Sequence, residues 1–164
     1  MPVPLPRRRI LAFLAAPFLV SACSTQSTTG PDKLGFLSED EPPLYPNETP
    51  QLRALINKYA DHYEVPRQLV HRVVIRESTH RPKAINRPYY GLMQILPATA
   101  RSMGFRGEPK DLLDAETNLK YAVKYLRGAY MVAGGDQTAA VQWYARGYYY
   151  EAKKLGLLEE TGLV

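Results

Sequence analysis

From Thr49 onward, apolar residues recur at helical spacing almost throughout, and before it they do not. Leu52, Leu55, Ile56 and Tyr59 form one stripe. Thr49 can cap that helix, with Pro50 at its first position. A second helix begins near Pro66 and carries Val70, Val73 and Val74, and Glu77 falls on the same face. Residues 80–91 read as loop, with Pro82, Pro88 and Gly91, and allow a short β-turn around 84–91. Pro97 starts a third helix that ends at Gly104, and residues 105–113 read as irregular. Asp114 can cap a long helix with the stripe Leu119, Ala122, Val123, Leu126 and Tyr130, closed by Gly134-Gly135. Asp136 can cap the next, which puts Ala140, Trp143 and Tyr144 on one side, and a last helix spans Tyr149 to Leu155. No strand alternation of useful length and no internal repeat is present. The pattern predicts an all-α single domain of about six to seven helices over residues 49–158, followed by a tail at 159–164.

The first 48 residues belong to a different regime. Arg7-Arg8-Arg9 precedes an apolar run from Ile10 to Val20, too short to span a bilayer. A basic segment before a short apolar one is the pattern of an export signal. Val20-Ser21-Ala22-Cys23 closes it and resembles the lipobox of a bacterial lipoprotein, which implies a signal peptide over residues 1–22 and lipidation of Cys23. Ser24 after the cysteine implies sorting to the periplasmic face of the outer membrane, so the expected membrane partner is engaged through the Cys23 lipid. Cys23 is the only cysteine, which excludes an intrachain disulfide. Residues 23–48 are small, polar and proline-rich, with an acidic cluster at Glu39-Asp40-Glu41, and read as a flexible tether. Loss of Arg7, Arg8 and Arg9 with the signal lowers the net charge from +5 to +2. The mature chain then has no pronounced basic patch to suggest nucleic acid, and its mild positive balance suits an anionic wall polymer.

Glu77 is the candidate for chemistry. It follows Val70, Val73 and Val74 by seven, four and three residues, so it ends an apolar face. Desolvation there disfavours the carboxylate and raises its pKa, and a glutamic acid protonated near neutral pH can act as a general acid. The bland alternative is a solvated residue at a helix end, or one paired with Arg72, Arg76 or Arg81.

The residues around it resemble the soluble lytic transglycosylase catalytic domain, a branch of the goose-type lysozyme superfamily. The resemblance runs from about Leu52 to Leu157. It rests on Arg76-Glu77-Ser78, Pro82, the stretch Gly91-Leu92-Met93-Gln94-Ile95-Leu96-Pro97-Ala98-Thr99-Ala100, and Leu112 to Leu119 before the long helix. It implies a lysozyme-like fold and cleavage of the β-1,4 bond between N-acetylmuramic acid and N-acetylglucosamine in peptidoglycan, with a 1,6-anhydro product. In that reading Glu77 is the sole acid/base, and Gln94, Met93, Tyr144, Asn86 and Ser78 match substrate-contacting or neighbouring positions. Met93 and Tyr144 can equally be core residues, and Ser78 can equally support the helix end. Peptidoglycan strands are the expected partner, for a monomer without cofactor. A water-using muramidase and a non-catalytic wall-binding lipoprotein are the competing functions.

The chain departs from the family pattern in three places. Asn86 stands where serine is frequent and the loop to Gly91 is one residue shorter. Ala145 replaces an asparagine after Tyr144. The segment Gly147-Tyr148-Tyr149-Tyr150 is unusually aromatic. His62, His71 and His80 are nine residues apart in each case, without cysteine or paired-acid spacing, which predicts no metal site. His80 is expected to line the cleft by its closeness to Glu77, and the other two to lie on the surface.

Overall fold

The structure, a computed structural model, describes residues 42–163. The signal segment, Cys23 and the tether up to residue 41 lie outside the described residues. Helix α1 (Pro50–His62) starts where the Thr49 side chain accepts from the Leu52 N–H at 3.1 Å. Helix α2 (Arg67–Ser78) follows a tight turn. Strands β1 (Ile85–Asn86) and β2 (Tyr89–Tyr90) form an antiparallel hairpin, pairing Ile85 with Tyr90 and Asn86 with Tyr89. Helix α3 (Pro97–Ser102) and a 3-10 turn at Pro109–Leu113 lead into helix α4 (Ala115–Val132). Helices α5 (Gln137–Arg146), α6 (Tyr149–Leu155) and α7 (Leu158–Thr161) complete a mostly helical fold with seven helices among the described residues.

The long helix α4 is the hub, and α1, α3, α5, α6 and α7 all pack on it. Its stripe explains why. Leu119, Ala122, Val123 and Leu126 are fully buried, whereas Tyr130 is only partly so. Each such Leu or Val side chain stabilises the fold by about 1.5–3 kcal/mol when removed from water. The start of α4 is fixed by Asp114, which accepts from the Thr117 N–H at 2.8 Å, and that of α5 by Asp136, which accepts from Ala139 at 2.7 Å. In α2, Val70, Val73 and Val74 are fully buried as a row.

Three expectations differ from the structure. The residues from Pro42 to Glu48 were assigned to the tether, but they fold against α1 and α2. Arg53 donates to the carbonyls of Pro42 and Pro43, and Asn47 Nδ2 donates to the Thr79 carbonyl at 3.1 Å. Proline-rich composition hid this because the anchoring partners are remote in sequence. The segment assigned as a tail from residue 159 begins instead within α7, whose Thr161 is buried and hydrogen-bonds back to the carbonyls of Leu157 and Leu158. The stretch 105–113, read as irregular, contains the 3-10 turn, opened by the Asp111 carboxylate accepting from the Glu108 N–H at 2.8 Å.

Candidate active site

Glu77 occupies the last turn of α2. The chain leaves that helix through two consecutive left-handed residues, Thr79 (φ 54°) and His80 (φ 57°). Ser78 braces the exit: its Oγ donates to the Val74 carbonyl and accepts from the Arg81 N–H, both at 3.3 Å. The Arg81 side chain donates to the Ser78 carbonyl at 2.9 Å. Ser78 is buried and braces the Glu77 turn, the helix-end role that the sequence also allowed.

The Glu77 side chain is 24% exposed, with Arg76 Nε 3.4 Å from its Oε1. Burial raises its pKa, and the Arg76 charge opposes that rise without cancelling it. Both readings of the sequence therefore hold in part: an arginine is near, and desolvation still dominates. Glu77 also acts on Tyr144. That phenol is held well above its ordinary pKa, first by burial and then by the Glu77 charge, so it stays neutral and donates.

Tyr144 belongs to the wall of a cleft of about 290 Å³ that also takes in Tyr89, Gln94, Leu96 and Arg146. No carboxylate lines it. Gln94 sits at a left-handed φ of 48°, fixed by its own amide nitrogen, which donates to the Gly91 carbonyl at 2.8 Å and the Ala84 carbonyl at 3.1 Å. Its amide oxygen is able to accept a further hydrogen bond. The Arg146 guanidinium stacks over the Trp143 ring at 3.6 Å, bringing a positive charge to the rim. Ala145, in the place of the expected asparagine, lines the same cleft and offers no side-chain polar group.

Met93 has no exposed surface, which places its side chain in the core, the second of the two readings its sequence allowed. Its backbone is the node of the site. Asn118 Oδ1 accepts from the Met93 N–H at 3.0 Å, and the Tyr144 hydroxyl donates to the Met93 carbonyl at 2.8 Å. Asn118 Nδ2 donates to the carbonyls of Tyr90 and Leu112, each at 2.9 Å. This fully buried amide ties the hairpin, the 3-10 turn and α4 together, and no role was read for it in the sequence. The available signal was a polar residue directly before Leu119 on the apolar face of α4. Gly91 shows how closely these parts meet: a Cβ there would stand 2.2 Å from the Leu112 carbonyl oxygen, at a φ of 75°.

Asn86 is exposed on the hairpin and lies outside the cleft lining. The histidines differ from expectation. His62 is exposed, but His80 is fully buried and lines a different cavity together with the half-buried His71 and with Glu48. Those three residues bring possible metal-ligand atoms within 4.8 Å of one another, against the expectation of no metal-binding arrangement.

Compared with known protein families, residues 54–158 match the transglycosylase SLT domain. The chain belongs to the transglycosylase SLT domain family. No solved structure matches it significantly. The SLT match ends within α7 and spans both Glu77 and every residue that lines the cleft, from Tyr89 to Gly147. Membership implies lytic transglycosylase-type cleavage of peptidoglycan, and hence peptidoglycan binding and action in the cell envelope.

Proposed function

We propose that this SLT domain cleaves the β-1,4 bond between N-acetylmuramic acid and N-acetylglucosamine by intramolecular transfer, with Glu77 as its single acid and base. The protonated carboxyl gives its proton to the bridging oxygen as the bond to the muramyl anomeric carbon breaks. The 6-hydroxyl of the same muramyl residue then attacks that carbon. Its proton returns to the Glu77 carboxylate, which restores the acid and leaves a 1,6-anhydro end without consuming water. Positioned proton transfer of this kind contributes about 10²–10⁴-fold, and a nucleophile carried by the substrate adds the advantage of proximity.

One observation carries the reading. Glu77 has a raised pKa and acts electrostatically on Tyr144, a wall residue of a cleft that no other carboxylate lines and that Glu77 itself only neighbours. Hydrolytic glycosidases ordinarily set two carboxylates across the scissile bond. A site with one is suited to a reaction whose nucleophile comes from the sugar itself. Gln94 supplies an acceptor for hydroxyl or acetamido groups, and Tyr144 shapes the wall next to the acid. The deciding experiment is mass spectrometry of products released from purified sacculi. Ends in the anhydro form support the reading, and reducing ends heavier by one water overturn it in favour of hydrolysis.

The location follows from the segment outside the described residues. In this reading Cys23 is lipidated and holds the domain at the periplasmic face of the outer membrane. Cys23→Ser then moves the protein out of the membrane fraction, and unchanged partitioning overturns the anchor.

A further inference from the structure

Glu48, His71 and His80 converge where the segment 42–48 crosses α2. The Glu48 side chain is 1% exposed and that of His80 is not exposed at all. A carboxylate offers about four lone-pair positions, and three of those on Glu48 are occupied. Arg53 donates to Oε1 through Nε at 3.0 Å and to Oε2 through Nη2 at 2.6 Å, and the Tyr45 N–H donates to Oε2 at 2.9 Å. The fourth, on Oε1, faces two imidazoles. His71 Nδ1 and His80 Nε2 each stand 3.6 Å from that oxygen. This is longer than a hydrogen bond. It is close to the edge of a tetrahedron drawn around an ion with ligands at about 2.0–2.1 Å, for which neighbouring donors are about 3.4 Å apart.

The two rings are prepared differently. His71 Nε2 lies 3.0 Å from Asn57 Oδ1, an acceptor, which fixes the ring hydrogen on Nε2 and turns the Nδ1 lone pair toward Glu48. That is the usual outer partner of a metal-bound histidine. Neither nitrogen of His80 has a hydrogen-bond partner, although both are buried. A buried imidazole without partners is costly, and a cation between Nε2 and Oε1 satisfies one of its two nitrogens. Arg53 balances the carboxylate charge and holds it in place. The three groups open onto a cavity of about 350 Å³, from which water can complete the coordination.

We propose that Glu48 Oε1, His71 Nδ1 and His80 Nε2 bind one divalent transition metal ion of the zinc class, which clasps the segment 42–48 to the end of α2. Two nitrogens and one oxygen suit zinc better than calcium or magnesium, which take oxygen ligands. The clasp would act three residues beyond Glu77, on the left-handed pair Thr79-His80 that ends the helix. It does not depend on the catalytic reading.

The test uses the full chain, stripped with a chelator and titrated with zinc chloride in competition with a chromogenic chelator. One ion per chain is expected, with a melting temperature that rises with zinc concentration. Cobalt(II) in its place should give the visible absorption of a four- or five-coordinate nitrogen–oxygen site. Asn57→Ala should weaken binding by about 10–100-fold. His71→Ala, a change at a half-buried position, should abolish tight binding while the metal-free protein melts as before. Hydrogen exchange in residues 42–48 and 78–81 should slow on zinc addition. Stoichiometric binding that His71→Ala and His80→Gln both leave intact would overturn the site, as would no binding by the folded parent chain.

Discussion

Glu48 and Glu77 are two glutamates at the two ends of the same structural problem, and they solve it in opposite ways. Both lose water on folding. For Glu48 the cost of burial is outweighed by the Arg53 guanidinium, the Tyr45 N–H and the nearby His80, so its pKa falls. For Glu77 burial meets only Arg76, at 3.4 Å, and its pKa rises. Burial therefore does not decide the charge state of a carboxyl group; the number of donors aimed at it does. The C-terminal half of α2 thus meets a charged, fully partnered carboxylate through His71 and His80 and carries a carboxyl with a raised pKa in its own last turn.

The sharpest way to break this comparison is to remove the acid. Glu77→Gln should lower the rate of anhydro-product release by about 10²–10⁴-fold, while urea unfolding shows stability unchanged or slightly raised. A variant that digests sacculi at the parental rate would take the chemistry away from Glu77. Next comes the structural anion. Arg53→Ala leaves a buried carboxylate without its main partner and should destabilise the fold by about 3–5 kcal/mol, read as a lower urea midpoint. Asn118→Ala tests the frame on the cleft side. It strands the Met93 N–H and the carbonyls of Tyr90 and Leu112, at about 1–3 kcal/mol for each group left unpaired. Loss of activity should accompany that loss of stability.

The smallest effect is on pH dependence. A carboxyl whose pKa is higher in the folded state than in the unfolded one binds more protons when folded. Its contribution to stability therefore falls as pH rises between the two values. The acid-competent form disappears over the same rise, so the alkaline limb of the rate profile reports the Glu77 pKa. Arg76→Gln removes the charge that holds this pKa down and should shift that limb to higher pH. A shift to lower pH would mean that Arg76 does not act on Glu77 through its charge.

What could be read in the sequence was mostly local. The caps Thr49, Asp114 and Asp136 and the valine row of α2 depend on neighbours within a turn or two, and each element begins where those residues predicted. The partial burial of Glu77 could be read for the same reason, since it follows from the apolar face of its own helix. The rest depends on contacts between distant segments. Glu48 lies in proline-rich sequence that looks like linker, and its partners Arg53, His71 and His80 come from three later places in the chain. The burial of Met93 follows from the docking of α4 and α5, so the exposed reading and the core reading could not be separated by spacing. Asn86 kept its place in the hairpin but not in the cleft, because the two-residue connection of β1 and β2 carries it outward to solvent.

Met93 is gripped from both sides of its backbone, by Asn118 on one and by Tyr144 on the other. The second grip comes from α5, near the C-terminal end of the fold. Without that helix Glu77 would keep its place on α2 but lose the wall that Tyr144 forms, and Met93 would lose the hydroxyl that binds its carbonyl. The geometry of the cleft is therefore completed only by the docking of α5, the element that supplies Tyr144.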